Sequence, residues 1–229
     1  MLKQYGQLQV YKIIHPFIQL LIKLKVTPNM ITTVGFVLNV LAAGIFMYGA
    51  EYGERGNMAY IGWGGLTILF AGLFDMIDGR LARMGHMSSP FGALYDSVLD
   101  RYCELIMFLG ICYYLVSHDY FLSSIFAFIA MIGSVMVSYI RARAESLGAR
   151  CDVGWMQRPE RILLIGLSAI SCWIAAGFLG GDFKVQIFSL FTFETISFFT
   201  LPLTFLAITA NQTAFSRLLY AKKELQNKN

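Results

Sequence analysis

Four aspartates form two close pairs within a short stretch of an otherwise apolar sequence. Asp75 and Asp78 are three residues apart, and Asp96 and Asp100 are four residues apart. Either spacing places two carboxylates on one face of an α-helix. Four carboxylates brought together repel one another and are costly to bury without positive charge among them. Since these ligands are all hard oxygens, the pairs predict Mg²⁺, Mn²⁺ or Ca²⁺ rather than zinc.

The residues between and beside the aspartates suit a phosphate-bearing ligand. Gly79 and Gly92 have no side chain, so a bulky ligand or a partner helix can come close. Arg83 can bind a phosphate through two parallel hydrogen bonds, and Ser88 and Ser89 add hydroxyl donors. Two divalent ions would neutralise four carboxylates, and paired metal ions recur in phosphoryl chemistry. The stretch therefore predicts a diphosphate site.

The rest of the chain provides helices in a membrane to position these groups. Of its 229 residues, 57% are hydrophobic and only 14% are charged, and the mean hydropathy is +0.60. Soluble domains carry about a quarter charged residues, so this composition predicts an integral membrane protein. The four cysteines are scattered without a CxxC pair, which argues against a disulfide framework or a zinc site.

Six apolar segments approach the length of about twenty residues that crosses a bilayer. They span about 30–50, 58–80, 93–116, 121–141, 160–180 and 187–209. We therefore predict an all-α bundle of six transmembrane helices. The single membrane domain, 1–229, would comprise a surface helix (1–26), the bundle (27–212) and a cytoplasmic tail (213–229).

The N-terminal segment has the pattern of a helix that lies along the membrane surface. At 3.6 residues per turn one polar face contains Lys12, Pro16, Gln19 and Lys23. The remaining surface is apolar and contains Val10, Ile13, Ile14, Phe17, Leu20, Leu21 and Leu24. This pattern predicts an amphipathic helix with its lysines near anionic headgroups.

The distribution of basic residues predicts the orientation in the membrane. One set of helix ends carries fifteen of them: Lys3, Lys12, Lys23, Lys25, Arg80, Arg83, Arg141, Arg143, Arg150, Arg158, Arg161, Arg217, Lys222, Lys223 and Lys228. The opposite loops contain only Arg55 and Lys184. Basic residues concentrate on the cytoplasmic side, so both termini and the aspartates are expected there, in the cell (inner) membrane.

The pattern Asp75-x-x-Asp78-Gly79-x-x-Ala82-Arg83, eight residues, then Gly92-x-x-x-Asp96-x-x-x-Asp100 resembles the signature of the CDP-alcohol phosphotransferases. The resemblance covers essentially the whole chain. It implies six spans preceded by a surface helix, and a homodimer. It implies two Mg²⁺ ions, or Mn²⁺ in their place, held by Asp75, Asp78, Asp96 and Asp100.

The same resemblance implies a reaction. An alcohol attacks the lipid-linked phosphorus of CDP-diacylglycerol, CMP leaves, and Asp100 acts as the general base. The donor site implied by the family comprises Asn29, Met30, Ile31, Thr32, Gly79, Arg83 and Ser89. Thr27-Pro28-Asn29 is also a typical helix start, and the two interpretations are compatible.

A second charged cluster bears on the acceptor alcohol. Arg141, Arg143, Arg158 and Arg161 flank the loop between the fourth and fifth spans. Arginines converging beside a metal site would recognise an acceptor that is itself phosphorylated. The segments RARAE and RPER are similar to those of bacterial phosphatidylinositol-phosphate synthases, which implies inositol phosphate as the acceptor. Glycerol 3-phosphate would suit the same arginines, and serine or free inositol would need fewer cations.

Other interpretations of the charged residues also arise. Arg150 fits simple anchoring at the membrane surface, and Glu104 fits structural support for the metal centre or for a cation such as Arg101. Intramembrane carboxylates also occur in cation transporters, but there they lie near the midplane and across several spans. Here they cluster at one end, so an enzyme is the favoured interpretation. No nucleic-acid partner is predicted.

Overall fold

The structure, a computed structural model, describes residues 15–187 and 191–226. A first helix, α1, covers 15–23 and is followed by six long helices. These are α2 (Pro28–Tyr52), α3 (Ala59–Met84), α4 (Pro90–Ser117), α5 (Phe121–Ser146), α6 (Arg158–Leu179) and α7 (Ser197–Gln226). The expected helical architecture is therefore confirmed.

Four of these helices are long and apolar enough to cross a membrane, namely α2, α3, α5 and α6. Helix α4 carries the charged residues Asp96, Asp100, Arg101 and Glu104. Helix α7 contains Pro202 and is less apolar along its length. The chain is thus an integral membrane protein with several spanning helices.

The described residues depart from an all-helical fold at one place, a β-hairpin that we did not predict. Strands β1 (Lys184–Ile187) and β2 (Phe191–Glu194) pair antiparallel, with Lys184 opposite Glu194. The sixth helix accordingly begins at Ser197 rather than near 187. The segment 184–194 is rich in aromatic and β-branched residues, so its hydropathy does not distinguish a strand from a spanning helix. At its other end α7 continues to Gln226, and the expected tail is helical that far.

Two of the hydrophobic clusters among the described residues hold together the helices that position the aspartates. The larger one joins all six long helices and includes Phe46, Tyr114 and Phe199, each fully buried. At the end of the bundle that holds the aspartates, Ile18 of α1 packs with Ile31 and Leu81 in a smaller cluster. Helix α1 is therefore docked on α2 and α3.

The exposed side of α1 agrees with a helix at a membrane surface. Phe17, Leu20 and Leu24 are exposed and apolar, whereas Ile18 and Leu21 are buried against the bundle. The expected polar face depended partly on Lys12, and the apolar face partly on Val10, Ile13 and Ile14. Those four residues lie outside the described residues, so the amphipathic surface helix stays a prediction.

Two helix starts in the site are fixed by the same local chemistry. The Thr27 side chain accepts a hydrogen bond from the Met30 amide at the start of α2. Ser89 accepts one from the Gly92 amide, at 3.0 Å, at the start of α4. A proline follows each cap, in the position where a missing amide proton costs nothing. These caps fix where α2 and α4 begin beside the aspartates.

Candidate active site

Three aspartates from two antiparallel helices converge at one end of the bundle. Asp75 and Asp78 lie near the end of α3, and Asp96 lies near the start of α4. One carboxylate oxygen of each lies within 4.8 Å of the others. Among the described residues, Asp96 Oδ1 is buried without a hydrogen-bond partner. An unpartnered buried oxygen in an all-oxygen donor set fits a hard divalent cation.

Asp100 lies one turn further along α4 and is not part of that group of three. The Nη1 atom of Arg158 contacts both the Asp75 and the Asp100 carboxylates. Arg101 Nη2 is also 3.6 Å from Asp100 Oδ2. The fourth aspartate of the pattern is thus held by guanidinium groups in this structure.

The position of Asp78 is supported from α2. The Thr32 hydroxyl lies 2.8 Å from Asp78 Oδ2, and the pair is buried. The same hydroxyl lies 3.1 Å from the carbonyl oxygen of Pro28, so it can donate to either acceptor. Thr32 was expected at the donor site, and its contact with Asp78 links that site to the aspartate group.

A cleft of about 200 Å³ opens next to the aspartates, between the starts of α2 and α4 and the end of α3. Five of the seven residues expected at the donor site line it: Asn29, Thr32, Gly79, Arg83 and Ser89. Met30 and Ile31 do not. Met30 is 55% exposed, and Ile31 is buried in the cluster under α1, because successive helical residues face different directions. The cleft also contains Ser88 and Asp96.

A second cavity, of about 470 Å³, lies on the other side of the aspartates. Asp96, Asp100, Arg141, Arg158 and Arg161 line it, so three of the four expected acceptor arginines are brought together. Asp96 lines both this cavity and the cleft. A ligand in each would therefore meet at the aspartate group.

The arginines of this cavity differ in how accessible their guanidinium groups are to a ligand. Arg141 pairs with Glu145 at 2.9 Å and with Asp152 at 2.7 Å, and it is nearly half exposed. Arg161 is 2% exposed, pairs with buried Glu104 and donates to the carbonyl oxygen of Met156 at 3.1 Å. Arg141 is thus accessible to a ligand, whereas Arg161 is largely committed to the fold.

Arg143 lies elsewhere. Its side chain lines a separate groove between α5 and α7, because two helical residues that are two apart point in different directions. Arg217 occupies the position that Arg143 was expected to hold in the cavity wall. It donates to the carbonyl oxygens of Val137 at 2.7 Å and Val153 at 2.8 Å. By sequence, Arg217 is one of fifteen basic residues expected at the cytoplasmic helix ends, and no local pattern indicates its burial.

Beside Arg217, the α5–α6 loop buries the Cys151 side chain. The Cys151 thiol donates to the carbonyl oxygen of Arg217 at 3.5 Å. Burial raises the pKa of Cys151 above its ordinary value, so the thiol stays neutral and remains a donor. This contact joins the α5–α6 loop to α7.

Replacing Glu104 by Gln should destabilise the protein by about 3–5 kcal/mol, because it leaves the Arg161 guanidinium buried without a counter-charge. The measurement is the free energy of unfolding in detergent. Glu145→Gln is the matched control, since its pair with Arg141 is exposed and should contribute less than about 1 kcal/mol. Equal effects of the two substitutions would contradict a structural role for the buried pair.

The helical bundle holds an aspartate group between two cavities, an arrangement that suits metal-assisted phosphoryl chemistry. The family profile described as CDP-alcohol phosphatidyltransferase matches residues 25–206. The chain belongs to this family, as the resemblance of the aspartate pattern implied.

Several relatives carry the name phosphatidylinositol phosphate synthase. The protein from Corynebacterium glutamicum is 36% identical over 177 residues, which cover 73% of this chain and 74% of the relative. The protein from Mycobacteroides abscessus is 32% identical over 177 residues, covering 76% and 72% respectively.

A crystal structure of a phosphatidylinositol phosphate synthase is also similar. The Mycobacterium tuberculosis enzyme with CDP-DAG bound superposes with a TM-score of 0.73 at 26% identity, covering 92% of this chain and 94% of that one. Its complex with manganese and citrate gives a TM-score of 0.70 at 26% identity, covering 90% and 88%.

Proposed function

We propose that this chain transfers a phosphatidyl group from CDP-diacylglycerol to inositol phosphate and releases CMP. The observation that carries the proposal is the meeting of the cleft and the arginine-lined cavity at Asp96, in a chain of this family. The names of the relatives and the CDP-DAG bound to the M. tuberculosis enzyme support the same reaction.

The aspartates would hold the divalent cations that this family implies. We infer that Asp75, Asp78 and Asp96 are ligands, with Asp100 as the fourth carboxylate, for two Mg²⁺ ions or for Mn²⁺ in their place. The three converging oxygens and the orphaned Asp96 Oδ1 support this, as does the manganese in the M. tuberculosis complex. When bound, such ions neutralise charge on a diphosphate and on the departing CMP.

The donor would bind in the cleft. Arg83 can hold a phosphate oxygen with its guanidinium, and Ser89 and Asn29 offer hydroxyl and amide groups towards the nucleotide. The diacylglycerol chains would leave the cleft into the bilayer. Gly79 and Gly92, which have no side chains, leave room beside the aspartates for the diphosphate.

The acceptor hydroxyl would approach from the cavity side. The Asp100 carboxylate accepts the proton of that hydroxyl. At the same time the hydroxyl oxygen forms a bond to the phosphorus that carries the diacylglycerol. The bond between this phosphorus and the CMP oxygen breaks, and CMP leaves with the bonding electron pair. The two products are CMP and phosphatidylinositol phosphate, which is a phosphodiester.

Arg158 connects acceptor binding to this chemistry. Its guanidinium neutralises Asp75 and Asp100 here and also lines the acceptor cavity. The phosphate of the acceptor is a stronger partner for a guanidinium than a carboxylate already shared with other cations. We infer that an acceptor phosphate draws Arg158 from Asp100 and frees that carboxylate to act as a base.

We further propose that all six long helices span the membrane. Exposed apolar side chains on α4 and α7, such as Leu109, Ile208 and Phe215, support this. The basic helix ends would face the cytoplasm of the inner membrane, and the family resemblance supports a homodimer. Accessibility of single introduced cysteines to membrane-impermeant reagents tests the orientation, and light scattering of the purified protein tests the dimer.

The reaction is tested by following the two phosphorus atoms of CDP-diacylglycerol separately. Label on the lipid-linked phosphorus should appear in the lipid product, and label on the cytidine-linked phosphorus should appear in CMP. One lipid product should form for each CMP released. Lipid-linked label that appears in water-soluble products instead would indicate hydrolysis and contradict the proposed transfer.

Gly79→Ala should raise the KM for CDP-diacylglycerol by about tenfold without destabilising the protein. A Cβ at this position would meet only the Arg83 guanidinium, at 3.7 Å, so the fold does not demand a glycine. The methyl group would instead occupy space in the donor cleft. Gly44→Ala is the control, since a Cβ there meets nothing within 4 Å. An unchanged KM in Gly79→Ala would remove Gly79 from the donor site.

A further inference from the structure

A groove between α5 and α7 has the shape and charge of a lipid site, and neither the reaction nor the acceptor cavity uses it. It has a volume of about 630 Å³ and lies at the ends of the two helices. Its floor contains Ala144 and Ala221, two small buried residues that let the helices approach closely. Its walls include Leu147, Leu218 and Leu219, which are all about half exposed.

Two cations lie at this apolar groove, Arg143 from α5 and Lys222 from α7. Among the described residues, no carboxylate lies within ion-pair distance of either one. The nearest polar partner of Arg143 is the neutral Ser146 hydroxyl, at 3.5 Å. Arg141, two residues earlier on the same helix, is by contrast paired with two carboxylates. The groove therefore combines apolar walls with uncompensated positive charge.

The depth of Arg143 in the membrane matches a headgroup. Helix α5 begins at Phe121, and 22 residues at about 1.5 Å each place Arg143 about 33 Å further along the helix axis. The hydrocarbon core is about 30 Å thick. Arg143 therefore lies at one boundary of the core when the start of α5 lies at the opposite boundary. Ile140, Leu218 and Leu219 lie about one turn before Arg143 or Lys222 along their helices, towards the membrane interior and the acyl chains, whereas Leu147 lies beyond Arg143.

We propose that this groove binds an anionic phospholipid of the surrounding bilayer, with its phosphate between Arg143 and Lys222 and an acyl chain along Ile140, Leu218 and Leu219. Charge complementarity favours this occupant over a second copy of the chain. A two-fold contact through the groove would bring the same two cations of both copies together, and like charges destabilise such a contact. The proposal is independent of the reaction proposed above.

The test measures lipid affinity of the full chain in a neutral detergent by native mass spectrometry. The probes are phosphatidylglycerol and phosphatidylcholine with identical acyl chains. The variant Arg143→Gln with Lys222→Gln should bind phosphatidylglycerol about thirtyfold more weakly, since one basic residue at a membrane surface contributes about fivefold. Phosphatidylcholine affinity should stay unchanged. Either single substitution should weaken phosphatidylglycerol binding about fivefold, which keeps the test valid if the double variant does not fold.

A matched control removes the same charge elsewhere. Arg150→Gln with Lys223→Gln changes two exposed cations at this end of the bundle that do not line the groove. This control should keep the wild-type affinity for phosphatidylglycerol. Equal losses in both double variants would mean general surface attraction and would overturn the proposal. The proposal would also be overturned if the variant Arg143→Gln with Lys222→Gln kept the wild-type preference for phosphatidylglycerol. A change of the oligomeric state of this variant without a change in lipid affinity would overturn it too.

Discussion

Asp78→Asn is expected to lower the rate of CMP release about a thousandfold in a protein that still inserts and folds. Asp78 is one of three carboxylates whose oxygens lie within 4.8 Å of one another, and Asn removes its charge while keeping its shape. The diphosphate then loses much of the positive charge that it needs in the transition state. Removal of divalent cations with EDTA should give a loss of the same order, reversed by added Mg²⁺.

The control for this substitution is Asp119→Asn, at the other end of α4. Asp119 is exposed and has a positive φ of 64°, a conformation that Asn adopts as readily as Asp. The same chemical change should therefore leave activity and stability unaltered. Binding of Mn²⁺, followed by electron paramagnetic resonance, gives a second readout, in which Asp78→Asn should bind more weakly. Retention of more than a tenth of the activity by Asp78→Asn would contradict its role as a ligand.

Asp100→Asn is expected to reduce turnover by between a hundredfold and ten thousandfold, the range typical of a lost general base. Asp100 lies outside the group of three carboxylates and faces Arg158, on the side of the acceptor cavity. Binding of CDP-diacylglycerol should therefore change much less than kcat. The measurement pairs equilibrium binding of the donor with the rate of CMP release.

The pattern of effects separates the two proposed roles of Asp100. A base that is lost lowers kcat at an unchanged donor affinity, whereas a lost metal ligand weakens donor and Mn²⁺ binding together. Unchanged turnover in Asp100→Asn would exclude both roles.

Much of the aspartate end of the molecule could be predicted from spacing alone. Three- and four-residue intervals fix which side chains share a helix face, and a short loop forces α3 and α4 to be antiparallel. Hence the convergence of Asp75, Asp78 and Asp96, and of Gly79 and Ser89, was accessible from sequence. The roles of these residues in binding and catalysis stay predictions.

Features that depend on contacts between distant segments could not be predicted in the same way. Contrary to expectation, Arg217 and not Arg143 lines the acceptor cavity, because the rotation of α5 and the length of α7 decide which guanidinium enters it. The contact of Arg158 with Asp75 joins residues 83 positions apart, and no local pattern indicates it. The hairpin before α7 was missed since its apolar run continues into the helix.

The central claim is that the acceptor is a phosphorylated alcohol, and the most direct test compares kcat/KM for inositol phosphate and free inositol with CDP-diacylglycerol as the donor. Arg141 and Arg158 line the cavity, and each hydrogen bond from a guanidinium to a phosphate contributes about 1.5–3 kcal/mol that free inositol cannot supply. We predict a preference for inositol phosphate of about a hundredfold or more, reduced in Arg158→Lys, which loses the two-pronged contact. Glycerol 3-phosphate as the better substrate would correct the identity of the acceptor but keep the arginine cavity. Free inositol or serine reacting as fast as inositol phosphate would contradict the account.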